Sequence, residues 1–224
     1  MHVVLFDIDG TLLSTGGAGQ QAMEQALESA FGVTRPTEGI AVAGRTDRAI
    51  THDLFAYHGI EPSPDAWQQF QETYLEYLAA VLPQLEGQVL PGVEPLLQTL
   101  AARGDVVLGL LTGNFAGGAE LKLRQYGLHH YFAGGGFGDD HHDRDDVARM
   151  ARTVIAEHCT FDIVDDRLWV VGDTPHDVRC ARAIGARVAA VATGTFTLQQ
   201  LRQTNPDQLY EDLSDPTPLL EALR

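Results

Sequence analysis

The chain has 224 residues, of which 44% are hydrophobic and 21% are charged, values typical of a soluble globular protein with a sizeable core. This composition excludes disorder of the whole chain. Fifteen basic residues against 31 acidic ones give a net charge of −16, which repels phosphate backbones and anionic lipid headgroups, so we expect neither a nucleic-acid nor a membrane partner.

The chain begins with a predicted buried strand, Val3 to Phe6, which ends in the polar loop Asp7-Ile8-Asp9-Gly10-Thr11. The opening residues carry no basic region and no long apolar run, and this pattern is not typical of a signal peptide or a membrane anchor. Cys159 and Cys180 are too few for a disulfide framework. We therefore expect a cytoplasmic protein.

Residues 16–90 are predicted to be almost entirely helical, with no convincing strand between residues 14 and 100. Apolar periodicity indicates helices over 20–31, 46–58 and 64–82. Glycines lie at both ends of this segment, where they suit hinges or ordinary turns equally well. The aromatic side chains within it recur at helical spacing and are expected to form its core: Trp67, Phe70, Tyr74 and Tyr77.

From Val93 onward, predicted helices and strands alternate. Strands are expected at 106–111, 168–171 and 187–191, and helices at 94–103, 116–126, 145–158 and 175–184. Such alternation predicts a parallel sheet with helices on both faces, that is, an α/β doubly wound, Rossmann-like core. We expect residues 1–15 and 91–224 to form this core and residues 16–90 to form an inserted helical cap.

Paired acids follow the first strand. Residues two apart on an extended chain point to the same side, so Asp7 and Asp9 can serve one cleft at the carboxyl edge of the sheet. Two carboxylates so close repel each other, which favours a bound cation or one protonated partner. The alternative is a loop whose acids cap the next turn.

Two further strand ends carry polar residues. Thr112, Gly113 and Asn114 offer a hydroxyl, amides and a carboxamide that could cradle an anion, although the same residues are common in turns. In Gly172-Asp173-Thr174-Pro175-His176-Asp177, a helix is expected to start at Pro175. Asp173 and Asp177 then either serve the cleft or cap the helix and complement its dipole.

Arg144 lies at the start of another predicted helix, after the acidic loop 139–143. Its guanidinium could hold a phosphate through two parallel hydrogen bonds.

Together these residues resemble the haloacid dehalogenase superfamily of phosphotransferases. The first motif, DxDGT, stands at 7–11, the second ends in Thr112, and the fourth, GDxxxD, stands as Gly172, Asp173 and Asp177. The predicted cap is similar to that of the phosphoglycolate phosphatase and β-phosphoglucomutase branch. The third motif departs from the family pattern, which has a lysine there. The only lysine, Lys122, comes too early, so we assign that role to Arg144.

The resemblance implies a phosphatase that uses Mg²⁺ and acts on a small phosphorylated metabolite. Asp7 would be the nucleophile and Asp9 the general acid and base, while Asp7, Asp173 and the backbone carbonyl of Asp9 would bind the metal. Asp177 would hold a metal-bound water. The phosphate would be held by Thr112, Gly113, Asn114 and Arg144.

The motifs define the superfamily more closely than its branch or the substrate. Asp9 argues against a dehalogenase, and a cap without lysine excludes a phosphonoacetaldehyde hydrolase. A sugar phosphomutase similar to β-phosphoglucomutase, or a phosphate-binding module without turnover, are the alternatives. Arg45 and Arg48 are candidate specificity residues, unless Thr46 or Asp47 merely caps a helix beside two solvated arginines. We expect a monomer or a homodimer.

Overall fold

A computed structural model describes residues 1–159 and 163–224. Its main sheet has six parallel strands in the order β5-β4-β1-β6-β7-β8. These strands are β1 (His2–Phe6), β4 (Val106–Leu111), β5 (Gly135–Gly136), β6 (Leu168–Gly172), β7 (Arg187–Val191) and β8 (Gln208–Tyr210). The predicted α/β doubly wound fold is confirmed.

Alternate residues of the central strand β1 face opposite helical layers. Val4 and Phe6 pack in one apolar cluster, while Val3 and Leu5 pack in another. The first cluster includes side chains of α4 (Val93–Ala101) and α5 (Ala116–Gln125), and the second includes those of α6 (Arg144–His158) and α7 (Pro175–Ala183). A strand buried on both faces needs mostly apolar residues, which explains the unbroken apolar run from Val3 to Phe6.

Three helices between β1 and β4 share a third apolar cluster. They are α1 (Ala18–Phe31), α2 (Asp47–His58) and α3 (Pro64–Val81). Phe70 and Tyr74 of α3 are fully buried there, and Trp67 and Tyr77 are partly buried against the same cluster. We call these three helices with their connecting loops the cap, and keep residues 16–90 as its proposed boundaries.

A short antiparallel ribbon joins the two ends of the cap to the core. β2 (Leu13–Ser14) pairs with β3 (Gln88–Val89), so that Leu13 lies opposite Val89. The expectation of no strand between residues 14 and 100 is therefore wrong at 88–89. A strand of two residues is too short to show a sequence period, and its partner lies more than 70 residues away in the chain.

The remaining helices complete the core at its C-terminal end. α8 (Leu198–Arg202) and α9 (Thr217–Ala222) follow β7 and β8 respectively. Among the described residues, no helix combines the length and the hydropathy that crossing a bilayer requires.

Candidate active site

The three strands that carry the predicted motifs lie side by side. β1 pairs with β4 on one side and with β6 on the other, and all three run in the same direction. Their carboxyl ends therefore meet at one edge of the sheet, which brings Asp7, Asn114 and Asp173 to one cavity of about 410 Å³. The cap covers this edge, so the cavity is walled by the core on one side and the cap on the other.

Asp7 directly follows β1 and is buried at the base of the cavity. One of its carboxylate oxygens lies 3.4 Å from an Nη atom of Arg144. Burial raises the pKa of Asp7 although Arg144 opposes the rise, and the nearby carboxylates of Asp177 and Asp9 raise it further.

Asp173 follows β6, and its carboxylate lies close to that of Asp7 at the cavity. The Thr11 hydroxyl donates to it over 3.3 Å. Burial raises the pKa of Asp173, and repulsion from Asp177 and Asp7 adds to the rise. Carboxylate oxygens of Asp7, Asp173 and Asp177 lie within 4.8 Å of one another. Three acids so close strongly disfavour simultaneous ionisation unless cations offset their charge.

The first turn of α7 shows how Asp177 is used. Thr174 is the N-cap, because its hydroxyl accepts from the Asp177 amide over 3.3 Å, while Asp177 accepts from the Thr174 amide over 2.9 Å. The other carboxylate oxygen of Asp177 accepts from Arg144. Asp177 therefore caps the helix and also binds a cavity residue, whereas Asp173 does not cap it.

Arg144 is the first residue of α6 and is buried, with its side chain 4% exposed. Desolvation lowers the pKa of its guanidinium, but Asp7 and Asp177 outweigh this and raise it overall. Its Nε atom is buried without a hydrogen-bond partner among the described residues. An arginine in this position has unused donor capacity at the base of the cavity.

The loop after β4 is ordered by its own side chains. The Thr112 hydroxyl accepts from the Asn114 carboxamide over 2.8 Å and from the Asn114 amide over 3.3 Å. Gly113 and Asn114 line the cavity, whereas Thr112 is fully buried beneath them. Within the described part of the chain, no hydrogen bond uses the Thr112 hydroxyl proton, which leaves it as a donor.

Lys122 is the residue that the sequence reasoning missed. It lies on α5, lines the cavity and places its Nζ atom 2.6 Å from an Asp9 carboxylate oxygen. Lys122 follows Thr112 too closely in the sequence to match the lysine of the third motif. It nevertheless reaches the cavity, because α5 packs so that the Lys122 side chain contacts Asp9. The available signal was its being the only lysine in an acidic chain.

The two cap arginines differ in position. Arg45 lines the cavity, but its guanidinium binds Asp53 over 2.7 Å. Arg48 stacks on the Trp67 ring, with its guanidinium carbon 4.0 Å from the ring centroid, and is absent from the described cavity wall. Thr46 caps α2, as the capping alternative expected, yet neither arginine is fully solvated.

The cap is held against the core through Asp47. This buried carboxylate accepts from the Phe115 amide over 2.8 Å, and the Asp47 amide donates to the Gly113 carbonyl over 2.6 Å. Burial raises the pKa of Asp47 to about 6 even though Lys122 opposes the rise.

Comparison with known proteins agrees with this architecture. The profile of the haloacid dehalogenase-like hydrolases matches residues 4–191, and the chain belongs to this family. The prediction that it is a hydrolase enzyme is thereby confirmed, together with the predicted family resemblance.

Its relatives are named phosphatases. The chain is 30% identical to a phosphoglycolate phosphatase of Rhodospirillum rubrum, over 85% of this chain and 79% of that protein. It is 28% identical to a phosphoglycolate phosphatase of Synechococcus elongatus, over 100% of this chain and 97% of that protein. In fold it is similar to a predicted phosphoglycolate phosphatase from Haemophilus somnus, with a TM-score of 0.75, 19% identity and 98% of both chains covered.

Proposed function

We propose that the chain is a metal-dependent phosphatase that hydrolyses a small phosphate monoester through an aspartyl-phosphate on Asp7. The observation that carries the proposal is the environment of Asp7, which is buried at a strand end beside a guanidinium and two further carboxylates and faces the cavity between the core and the cap. A nucleophilic carboxylate needs positive charge beside it, because a phosphate dianion approaches only where its charge is offset; Arg144 supplies part of that charge, and the further carboxylates could hold a cation that supplies the rest.

The carboxylate cluster fits a hard divalent cation, and Mg²⁺ is our candidate. Buried carboxylates with raised pKa values gain most from a cation, and oxygen ligands are those that Mg²⁺ prefers. Asp7, Asp173 and the backbone carbonyl of Asp9 would hold it. Both oxygens of Asp177 already accept from Thr174 or Arg144, which suits a role in the surroundings of the metal. When bound, the ion would offset the charge of these carboxylates and of the phosphate.

The chain's own residues would carry the steps. A carboxylate oxygen of Asp7 forms a bond to phosphorus while the ester oxygen leaves, and Asp9 gives that oxygen its proton. A water molecule then attacks phosphorus and gives a proton to Asp9, and the bond to Asp7 breaks to release phosphate. Arg144, Thr112 and the amides of Gly113 and Asn114 would hold the other phosphate oxygens.

The substrate is proposed to be a small metabolite such as phosphoglycolate or a sugar phosphate. Two observations support a small ester: the cavity of about 410 Å³ and the relatives named phosphoglycolate phosphatase. The net charge of −16 disfavours nucleic acid as a substrate.

Phosphate release tests the proposal. We expect the purified chain to hydrolyse p-nitrophenyl phosphate with Mg²⁺ and to lose this activity with EDTA. Asp7→Asn removes the nucleophile and should abolish activity while the circular dichroism spectrum stays unchanged. Asp140→Asn is the matched control, because Asp140 is exposed and forms no hydrogen bond through its side chain in the described residues, and it should keep full activity.

A panel of phosphate esters then ranks the substrates. Activity that survives Asp7→Asn would refute the mechanism. Interconversion of two sugar phosphates without release of phosphate would favour the mutase alternative. Binding of phosphate without turnover of any ester would favour the non-catalytic module.

A further inference from the structure

Lys122 has a place in the cavity that the proposed chemistry does not yet use. It is the only lysine of the chain, and its side chain is 5% exposed. Burying an ammonium group is costly unless anions surround it. Lys122 contacts the carboxylate of Asp9 and the side-chain oxygen of Asn114, so its burial depends on those partners.

Lys122 and Asn114 both donate hydrogen bonds to the same oxygen of Asp9. Lys122 donates to Asp9 Oδ2 over 2.6 Å, and the Asn114 carboxamide donates to the same atom over 2.8 Å. Among the described residues, Oδ1 of Asp9 has no hydrogen-bond partner, and the Asp9 side chain is 41% exposed on the cavity wall. One oxygen is thus held by two donors, while the other has no such partner in a side chain that is partly exposed at the cavity.

We propose that Lys122 is a positioning residue that holds Asp9 in the orientation required for proton transfer. The inference rests on the proposed function, in which Asp9 protonates the leaving oxygen. Two donors on Oδ2 favour the side-chain conformation that directs Oδ1 toward the substrate. General acid–base catalysis contributes about 10²- to 10⁴-fold and depends on such orientation. Without Lys122, the Asp9 carboxylate keeps only the Asn114 bond among those that the described residues provide.

Leaving-group dependence separates this role from the alternatives. p-Nitrophenolate leaves without help from an acid, whereas the alkoxide of n-propyl phosphate needs a proton as it departs. A misplaced Asp9 therefore penalises the propyl ester more. A lysine that only supported the fold would affect both esters equally, and one that bound a carboxylate of the substrate would chiefly affect phosphoglycolate.

The experiment compares kcat/KM for the three esters in Lys122→Met, which keeps the aliphatic stem. We expect a loss of about 10²-fold on n-propyl phosphate and of less than about 10-fold on p-nitrophenyl phosphate. The ratio of the two values does not depend on the concentration of active enzyme, so partial misfolding cannot imitate the result. If Lys122→Met does not fold, Lys122→Arg is judged by the same ratio, since its planar donors also displace Asp9.

Two controls complete the test. Arg124→Met removes an exposed cation from the same helix and should leave the ratio unchanged. In an Asp9→Asn background, Lys122→Met should cause little further loss, because the two residues act as a unit.

Equal losses on p-nitrophenyl phosphate and n-propyl phosphate, a loss confined to phosphoglycolate, or full additivity with Asp9→Asn would overturn the positioning role. Inactivity of the unaltered enzyme toward all three esters would instead reject the proposed function, and the positioning role with it.

Discussion

Asp47 allows a prediction about stability that is independent of turnover. It is the first residue of α2 and lies buried between the cap and the core, where its carboxylate accepts from the Phe115 amide. Asp47→Asn keeps an oxygen for that amide and removes the charge. We expect the variant to be more stable than the parent at pH 8, because the ionised carboxylate is buried at a net cost.

The magnitude follows from the pKa of Asp47, which burial raises from 3.8 to about 6. One unit corresponds to 1.36 kcal/mol, so ionisation opposes folding by about 3 kcal/mol at high pH. An asparagine N–H group without a partner costs about 1 kcal/mol, which leaves a net gain of about 2 kcal/mol. The folded protein binds this proton more tightly than the unfolded chain, so the cost fades as pH falls from 6 toward 3.8.

Urea unfolding at pH 8 and pH 5.5, with EDTA present, measures the difference between the two proteins. The advantage of Asp47→Asn should shrink by about 0.8 kcal/mol at the lower pH. Trp67 reports on the cap and Trp169 on the core, so fluorescence of Trp67→Phe and parent proteins shows whether both parts unfold together. A variant less stable than its parent at pH 8, or an advantage that grows on acidification, would refute the reasoning.

The remaining predictions concern cap closure and the base of the cavity. Gly44 and Gly59 both have a φ of +70°, but a Cβ at Gly44 would lie 2.7 Å from the Thr174 hydroxyl. A Cβ at Gly59 would meet no atom of the described residues within 4 Å. Gly44→Ala and Gly59→Ala should therefore share a backbone cost of about 1–2 kcal/mol in thermal unfolding, and only Gly44→Ala should lower kcat/KM, by about 10-fold or more. Equal activities would contradict a tight cap–core contact at Gly44. Arg144→Met should lower kcat/KM for p-nitrophenyl phosphate by about 10²- to 10³-fold with the fold retained, and a loss below 3-fold would remove Arg144 from the mechanism.

Four strands of the main sheet (β1, β4, β6 and β7) and the long helices were predictable because their signals are local, whereas the short edge strands β5 and β8 were not predicted. β4 and β6 are runs of apolar residues that end at glycine, threonine or aspartate, and α3 carries a proline and a capping serine at its start. The predicted bounds of 64–82 for α3 differ from Pro64–Val81 by one residue. Patterns of this kind require only the periodicity of the chain itself.

The β2–β3 ribbon and the position of Lys122 were not predictable in this way. Both depend on contacts between distant parts of the chain, such as Leu13 with Val89 and Lys122 with Asp9. Motif spacing located Asp7 and Asp173 because both follow strands of one parallel sheet. It failed for Lys122 because the reach of a helix residue depends on how the helix packs, which periodicity does not specify.

The charge distribution in the cavity bears on how an acidic protein can accept an anion. Arg144 already neighbours Asp7 and Asp177, and Lys122 already contacts Asp9, so each buried cation is shared with at least one carboxylate. A phosphate dianion that entered would add two negative charges to a site whose cations are already in use. Burial, together with the neighbouring carboxylates, raises the pKa of Asp7 and of Asp173, so negative charge at this site is costly even without substrate. A divalent ion would relieve both, so we expect ion and substrate to bind cooperatively here, each lowering the electrostatic cost of the other.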